Sequence, residues 1–405
     1  MTRVLHLLRS KDGLVTLSSV LCIGVLLLLP TTTRFDRPRP DEVRAKGLVV
    51  TTDDSNLHQF GLVRQGEQVL EVEVTSGPWK GERVRATNIL QGSLELDKVF
   101  SPGDAVLVVL TVQDGVLSSW ASVPDFWRLD VELILALAFS ASLLVFAGWT
   151  GFRALVSFVL TAVSFWKLLL PAYLAGYAPV PVAVAVVSCL TGLILLLIGG
   201  WRRKTLVAFL GAVVGMGAIL AVIGLWGGGF RLHGAVRQFA ESLLYSGFPY
   251  LDLTGILYAS IFMGAMGAIM DLAMDIASAQ EELVRHRPDI GRMAIVRSGM
   301  RVGRAVLGTM STTLLFAYSG SYLPLLLVFM AQGVPLLNAL NLQYVAVEVL
   351  HTLAGSMGLV LVAPATAVMG GLLFPGVRDA AMIPSPLPAL PHEIPQVEEE
   401  AEAEA

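Results

Sequence analysis

Five ionisable residues lie inside otherwise greasy stretches: Lys167, Asp271, Asp275, Glu348 and His351. A charge at membrane depth costs several kcal/mol unless it is paired or hydrated, so each position needs a reason. The chemistry such groups offer is proton or cation coupling, or pairing with a charged solute. Asp271 is flanked by Ile269, Met270, Leu272 and Ala273 and reads as a carboxylate buried in a functional polar site. A bound cation or the hydroxyls of Ser311, Thr312 and Thr313 are its expected partners. Asp275, one turn on and on the same face, reads as a solvated boundary residue continuing to Glu281 and Glu282. Lys167 sits about 20 Å into its span at the helical rise per residue. Glu348 and His351 fall near the outer end of theirs. A Lys167–Glu348 pair at similar depth is one reading; the other is that Lys167 snorkels to the interface.

Two greasy stretches are also interrupted. One reads Ala317-Tyr318-Ser319-Gly320-Ser321-Tyr322-Leu323-Pro324, the other Ala354-Gly355-Ser356-Met357-Gly358 followed by Pro364. Irregular backbone at membrane depth is tolerated where protein or a wet cavity surrounds it, and transporters use broken helices to hold solutes and ions. Ser319, Gly320, Ser321, Gly355 and Ser356 are therefore a candidate broken-helix site. A Gly/Ser-mediated helix crossing is the alternative. Gly211-x-x-x-Gly215 and Gly264-x-x-Gly267 read as close-packing devices.

Other chemistry has no signal. There is no phosphate-binding loop, dinucleotide fingerprint, HExxH or GxSxG, and the six histidines have no metal-ligand spacing. The chain reads as a non-enzyme without catalytic residues, metal or cofactor. Cys22 and Cys189 both lie in apolar blocks and read as buried structural thiols.

The elements that must hold these residues are membrane helices. Of 405 residues, 55% are hydrophobic and 15% charged, against about 25% charged in a soluble domain; mean hydropathy is +0.69. Eight apolar stretches approach the roughly 20 residues that cross a bilayer: 14–30, 130–148, 154–176, 180–199, 205–226, 252–276, 305–331 and 344–374. The first follows Arg3, Arg9 and Lys11 and resembles a signal peptide. Thr31-Thr32-Thr33 matches a small-x-small cleavage site poorly, so an uncleaved anchor is expected. Arg153, then Arg202, Arg203 and Lys204, then six arginines between Arg285 and Arg304 lie in alternate loops. Positive loops stay inside, which puts both termini in the cytoplasm and residues 31–128 outside. Net charge is −4, and removing the six glutamates of the terminal tail leaves +2; no basic field invites nucleic acid.

Residues 31–128 are the one large polar segment. Short β-type runs at 47–52, 69–75, 82–87, 105–112 and 116–122 alternate with Gly/Pro breaks, predicting a small barrel or sandwich, an OB-like one among the alternatives. Ligand binding and partner docking are both open for it. Residues 227–251 predict an interfacial helix, and the Pro- then Glu-rich tail predicts disorder.

Several of these strings occur together elsewhere. The block Gly264-Ala-Met-Gly-Ala-Ile-Met-Asp271-Leu-Ala-Met-Asp-Ile-Ala-Ser-Ala-Gln-Glu-Glu282 resembles the most distinctive segment of the YibE/F-like membrane proteins. Gly303-Arg304-Ala-Val-Leu-Gly308 through Gly320, and Glu348 followed by Gly355-Ser-Met-Gly358 and Pro364-Ala-Thr366, resemble two more. Ser76-Gly77-Pro-Trp-Lys80-Gly81 to Asn88 looks like that family's outer domain, and Lys167 with Pro171 fits its third span. The likeness spans most of 47–375. It implies a multi-pass membrane protein and supplies no settled activity. Where the family has Ser near 275 this chain has Asp275, which weakens the case for the second aspartate.

The expectation is thus an α-helical integral membrane bundle of about eight spans with a small extracytoplasmic β-rich domain. Its parts are an anchor (1–30), the β domain (31–128), a polytopic domain (129–376) and a disordered cytoplasmic tail (377–405). In function it reads as a plasma-membrane permease for a small solute or ion, with Lys167, Asp271 and Glu348 as coupling residues and Asp275 and His351 as weaker candidates. The alternative is a non-transporting envelope protein whose β domain binds a partner or wall component. Beyond lipid, solute or ion, a homo-oligomer is left open.

Overall fold

The computed structural model describes residues 11–29, 41–113, 116–320 and 322–374. Ser321, the segment 31–40 and the tail from 377 lie outside the described residues. The chain forms two compact units that divide between Tyr177 and Ala178. The first unit holds the β domain and the first helical stretch after it.

The first unit opens with α1 (Lys11–Leu28). Five strands follow: β1 (Glu42–Phe60), β2 (Val63–Val74), β3 (Arg83–Gln91), β4 (Ala105–Gln113) and β5 (Val116–Phe126). They close into a barrel in the order β1-β2-β3-β5-β4, with β3 and β5 parallel and β1 sealing against β4. All five predicted runs are strands. Period-two alternation points Leu70, Val72, Val74, Val106, Val108 and Leu110 into a core shared with Phe100. Gly47 marks where β1 changes partner from β4 to β2. A Cβ there would lie 2.5 Å from both Val72 and Val108, so only glycine lets the strand bend so close to the core. The barrel is tied to the next helix by Asp130, which accepts from Lys46 Nζ at 2.5 Å and Trp127 Nε1 at 3.0 Å.

That helix, α2 (Leu129–Ser164), runs through a π-helical turn (Phe165–Leu169) into α3 (Leu170–Leu174). It is not straight. Gly148 has φ 54, ψ −124, a conformation open to glycine. Phe139 and Phe158 rings lie 6.2 Å apart, whereas 19 residues of straight helix would separate them by about 28 Å. The run therefore folds back on itself at Gly148. Gly151 permits the turn, because a Cβ there would collide with the Leu143 carbonyl.

The second unit contains α4 (Pro179–Gly199), α5 (Arg203–Trp226), α6 (Ala240–Tyr245), α7 (Leu253–Gly264), α8 (Met266–His286), α9 (Arg292–Gly320), α10 (Leu323–Ala331), α11 (Leu336–Asn341) and α12 (Gln343–Leu373). Helices α5, α8 and α9 pack around α12. Small residues set the spacing. A Cβ on Gly211 would strike Thr366, one on Gly215 would press on Ile269 and Val362, and one on Gly358 would press on Ile219. The packing reading of Gly211-x-x-x-Gly215 holds. Gly267 has nothing near it, so the Gly264-x-x-Gly267 pair does not work as one device.

Among the described residues five helical runs are long and apolar enough to cross a membrane, or six if α9 and α10 count as one bent span. This makes the chain a membrane protein. By length and composition α1 falls short of a span, 129–174 is one run that turns at Gly148, and α10 meets α9 at 67°. The residues 227–251 do not form an interfacial helix. They hold a 3-10 turn (Gly234–Val236) and the six-residue α6. Cys22 and Cys189 are exposed, being on the outward faces of their helices rather than buried.

Candidate functional site

The polar residues of the helical unit converge where the α9–α10 break meets the first turns of α12. Glu348 is one end of an ion pair: its Oε1 lies 3.0 Å from Arg237 Nη1, close but not aligned as a hydrogen bond. Arg237 Nη1 also donates to the Tyr322 hydroxyl at 2.7 Å, and its guanidinium sits 5.9 Å from the Tyr322 ring centroid. One helical turn along α12, His351 Nδ1 is 3.9 Å from Glu348 Oε2. Its ring stacks on Tyr318 with centroids 3.8 Å apart.

Each partner has a structural reason for being there. Glu348 and His351 are three apart on one helix, hence on one face. Tyr318 and Tyr322 flank the break, so the turn that ends α9 carries both rings to α12. Arg237 arrives from the loop before α6. That loop passes through Arg231 and Phe239 at φ 48 and 61, left-handed conformations that side chains adopt at a cost. His351 fits because α7 ends in Gly264, where a Cβ would lie 2.5 Å from His351 Nε2. Neither His351 nitrogen makes a hydrogen bond among the described residues, although the residue is buried.

Beside Glu348 lies a cavity of about 300 Å³, lined by Ser319, Tyr322, Leu326, Glu348 and Thr352 among others. This is the lower end of small-molecule site volumes. Its walls are mostly apolar, and its carboxylate is paired with the Arg237 side chain. No group of three or more metal-ligating side chains occurs among the described residues.

The structure thus brings together Glu348, His351 and Ser319 of the predicted residues, with Gly320 at the break itself. It does not gather the rest. Asp271 is exposed, as is Asp275 on the same face of α8; the apolar neighbours Ile269, Leu272 and Ala273 are the ones buried against other helices. Thr312 and Thr313 bond carbonyls one turn back on their own helix. Gly355 and Ser356 are not in a broken segment: α12 is continuous over Gln343–Leu373 and takes Pro364 inside it. Continuity keeps the backbone satisfied within the span, and Gly355 instead lets Ala265 and Leu314 approach. Lys167 lies in the π-helical turn of the first unit, and the partner of Glu348 is Arg237.

Two residues escaped the sequence reading. Arg237 carries no sequence signal beyond being, with Arg231, one of two arginines in the otherwise base-poor 227–251 segment. Gln280 is fully buried and donates to Ile295 O at 3.1 Å and Ala367 O at 2.9 Å, locking α8 to α9 and α12. Its seat is made by Gly299 and Gly370, whose Cβ atoms would overlap it.

No curated protein and no solved structure matches the chain. The family model described as YibE/F-like protein matches residues 135–376, which begins inside α2 and leaves the barrel, with its 76–88 segment, outside the match. That stretch is more than half of the chain, and the chain belongs to the YibE/F-like family.

Proposed function

We propose that this protein is a permease-like carrier of a small solute or ion, with Glu348 as its binding and coupling carboxylate. The observation that carries this reading is the Arg237–Glu348 pair at the α9–α10 break, beside the 300 Å³ cavity. A cation or proton that competes with Arg237 for Glu348 would free the arginine and the loop that bears it, coupling occupancy to movement. His351, buried and without a hydrogen-bond partner among the described residues, is the second group that a proton could reach. Asp271 and Asp275, exposed on α8, serve in this reading as access residues rather than as the central site.

The turn at Gly148 divides 129–174 into two crossings, and with α1 and α10 this supports eight. Basic residues in alternate loops then favour cytoplasmic termini, a plasma-membrane location and an extracytoplasmic barrel. The strand order and the parallel β3–β5 pair favour an OB-like barrel. Flux of a panel of small solutes and ions into proteoliposomes tests the function. Wild-type flux that disappears in Glu348→Gln, with folding intact, is the expected result; a panel without flux would remove the reading.

A second reading has its own observation. Phe60, Leu62, Leu94 and Leu96 are all exposed on the β1–β2 tip and the loop after β3, an apolar group suited to a protein partner in the envelope. Loss of a cross-linked partner in Phe60→Ser/Leu62→Ser, together with a wild type that carries no flux, would favour it.

A further inference from the structure

We infer that the α4–α5 hairpin of this protein is a specific binding site for an anionic phospholipid. Along the outer side of the hairpin runs a groove of about 700 Å³ whose lining includes Cys189, Gly192, Leu196 and Phe209, with Arg202 and Arg203 at one end. The same two arginines, with Arg285, line a second depression of about 570 Å³ that also includes Glu281 and Glu282. The two depressions therefore share their basic rim. One is apolar and lies along membrane helices; the other is lined mainly by charged side chains at the start of α5 and the last turns of α8. This is the shape of one acyl chain and one headgroup.

The local sequence builds the rim. α4 ends at Gly199, Gly200 turns the chain at φ 74, and α5 begins at Arg203 with Arg202 as its N-cap. The turn is pinned by the Thr205 hydroxyl donating to Gly200 O at 2.7 Å. Trp201 is exposed in this turn, where an aromatic ring marks a membrane–water boundary. Gly192 opens the groove: a Cβ there would already touch the Phe209 ring at 3.3 Å.

Charge decides the kind of lipid. The polar depression has three arginines against two glutamates. Glu281 is also engaged by Lys204 at 3.5 Å, and Glu282 by His286 at 2.6 Å and Arg285 at 3.8 Å. The excess is positive, and Arg guanidinium matches phosphate geometry. A zwitterionic headgroup would bring its own cation to this rim, and an anionic headgroup would not. Basic pockets at the ends of membrane helices select anionic headgroups in this way.

The test is native mass spectrometry of the full chain purified in detergent and offered equal phosphatidylglycerol and phosphatidylcholine of the same acyl composition. Wild type should retain phosphatidylglycerol preferentially. Arg202→Gln/Arg203→Gln should lower that preference by roughly fivefold per arginine. Cys189→Trp, which fills the groove without touching a charge, should lower the amount of phosphatidylglycerol retained. The second variant keeps the idea testable should the first fail to fold. Equal retention of both lipids by wild type would overturn the inference, as would a preference unchanged in the folded arginine variant or a retention unchanged in the folded Cys189 variant. A preference abolished by inorganic phosphate while acyl-chain length has no influence would also overturn it, since the site would then hold a free anion.

Discussion

Gln68 in the barrel and His351 in the helical unit are both shut away from solvent, but their polar atoms are treated differently. Gln68 uses everything it has. Its Nε2 donates to Asp54 Oδ1 and Phe100 O, each at 2.8 Å, and its Oε1 accepts from Phe100 N at 3.0 Å and Asn88 Nδ2 at 3.1 Å. Asn88 also donates to Lys98 O at 2.6 Å, so the long β3–β4 connection is stitched to the barrel wall. His351 has neither ring nitrogen hydrogen-bonded among the described residues, and Glu348 next to it meets Arg237 without hydrogen-bond alignment. A fully satisfied network specifies one conformation; a partly satisfied one leaves room for a proton, an ion or a change of partner. The Gln68 network of the barrel is closed, whereas the Glu348–His351 group of the helical unit keeps unused hydrogen-bonding capacity among the described residues.

The largest effect expected to sharpen this contrast comes from Arg237→Ala. It strands the half-buried Glu348 carboxylate and should cost about 3 kcal/mol, the low end for breaking a buried pair, because Arg237 keeps 30% exposure. Glu348→Gln added to it should recover most of the loss. Denaturant unfolding in detergent would read both, and a double variant no better than the single one would mean that the charge was never stranded. Gln68→Leu should follow closely at about 2 kcal/mol, since it orphans several buried groups at once. A change under about 0.5 kcal/mol, measured through a barrel-specific tryptophan signal, would place the network among dispensable surface bonds.

Paired glycine substitutions probe the site more finely. Gly264→Ala must push His351 aside and should cost about 1 kcal/mol as an overpacking change. Gly267→Ala meets open space and should be neutral or stabilising by up to about 1 kcal/mol. Equal melting temperatures for the two would show that His351 has slack to move.

The smallest expected effect is acid sensitivity in the barrel. Backbone hydrogen bonds from Gln91, Ser93 and Gly92 hold the Asp97 carboxyl below its usual range. A depressed folded pKa contributes stability that is complete above the unfolded value of about 3.9 and fades as pH falls through the folded one. Asp97→Asn should therefore flatten the barrel's melting temperature as pH falls below about 4 and leave it little altered at pH 7. An unchanged acid slope would show that Asp97 does not titrate during unfolding.

Composition and periodicity alone were enough for the class of protein, the five strands and most helices. Those signals are local: period-two alternation such as Val69 to Val74 buries one face whatever lies across the sheet, and a 20-residue apolar run must be helical in lipid. The candidate site was half legible. Glu348 and His351 stood out because charge in grease is rare, and Ser319-Gly320 because helix breakers there are rarer still. The same rarity misled at Asp271, whose apolar neighbours look alike in sequence whether the carboxylate faces inward or outward; the packing of α8 turned it out. At Gly355 and Gly358 the choice between a break and a close crossing depends on whether another helix arrives, and α5, α8 and α9 do. Arg237 could be chosen only by tertiary structure, because a cation more than a hundred residues from its carboxylate leaves no local trace, and only the fold brings the two within 3.0 Å.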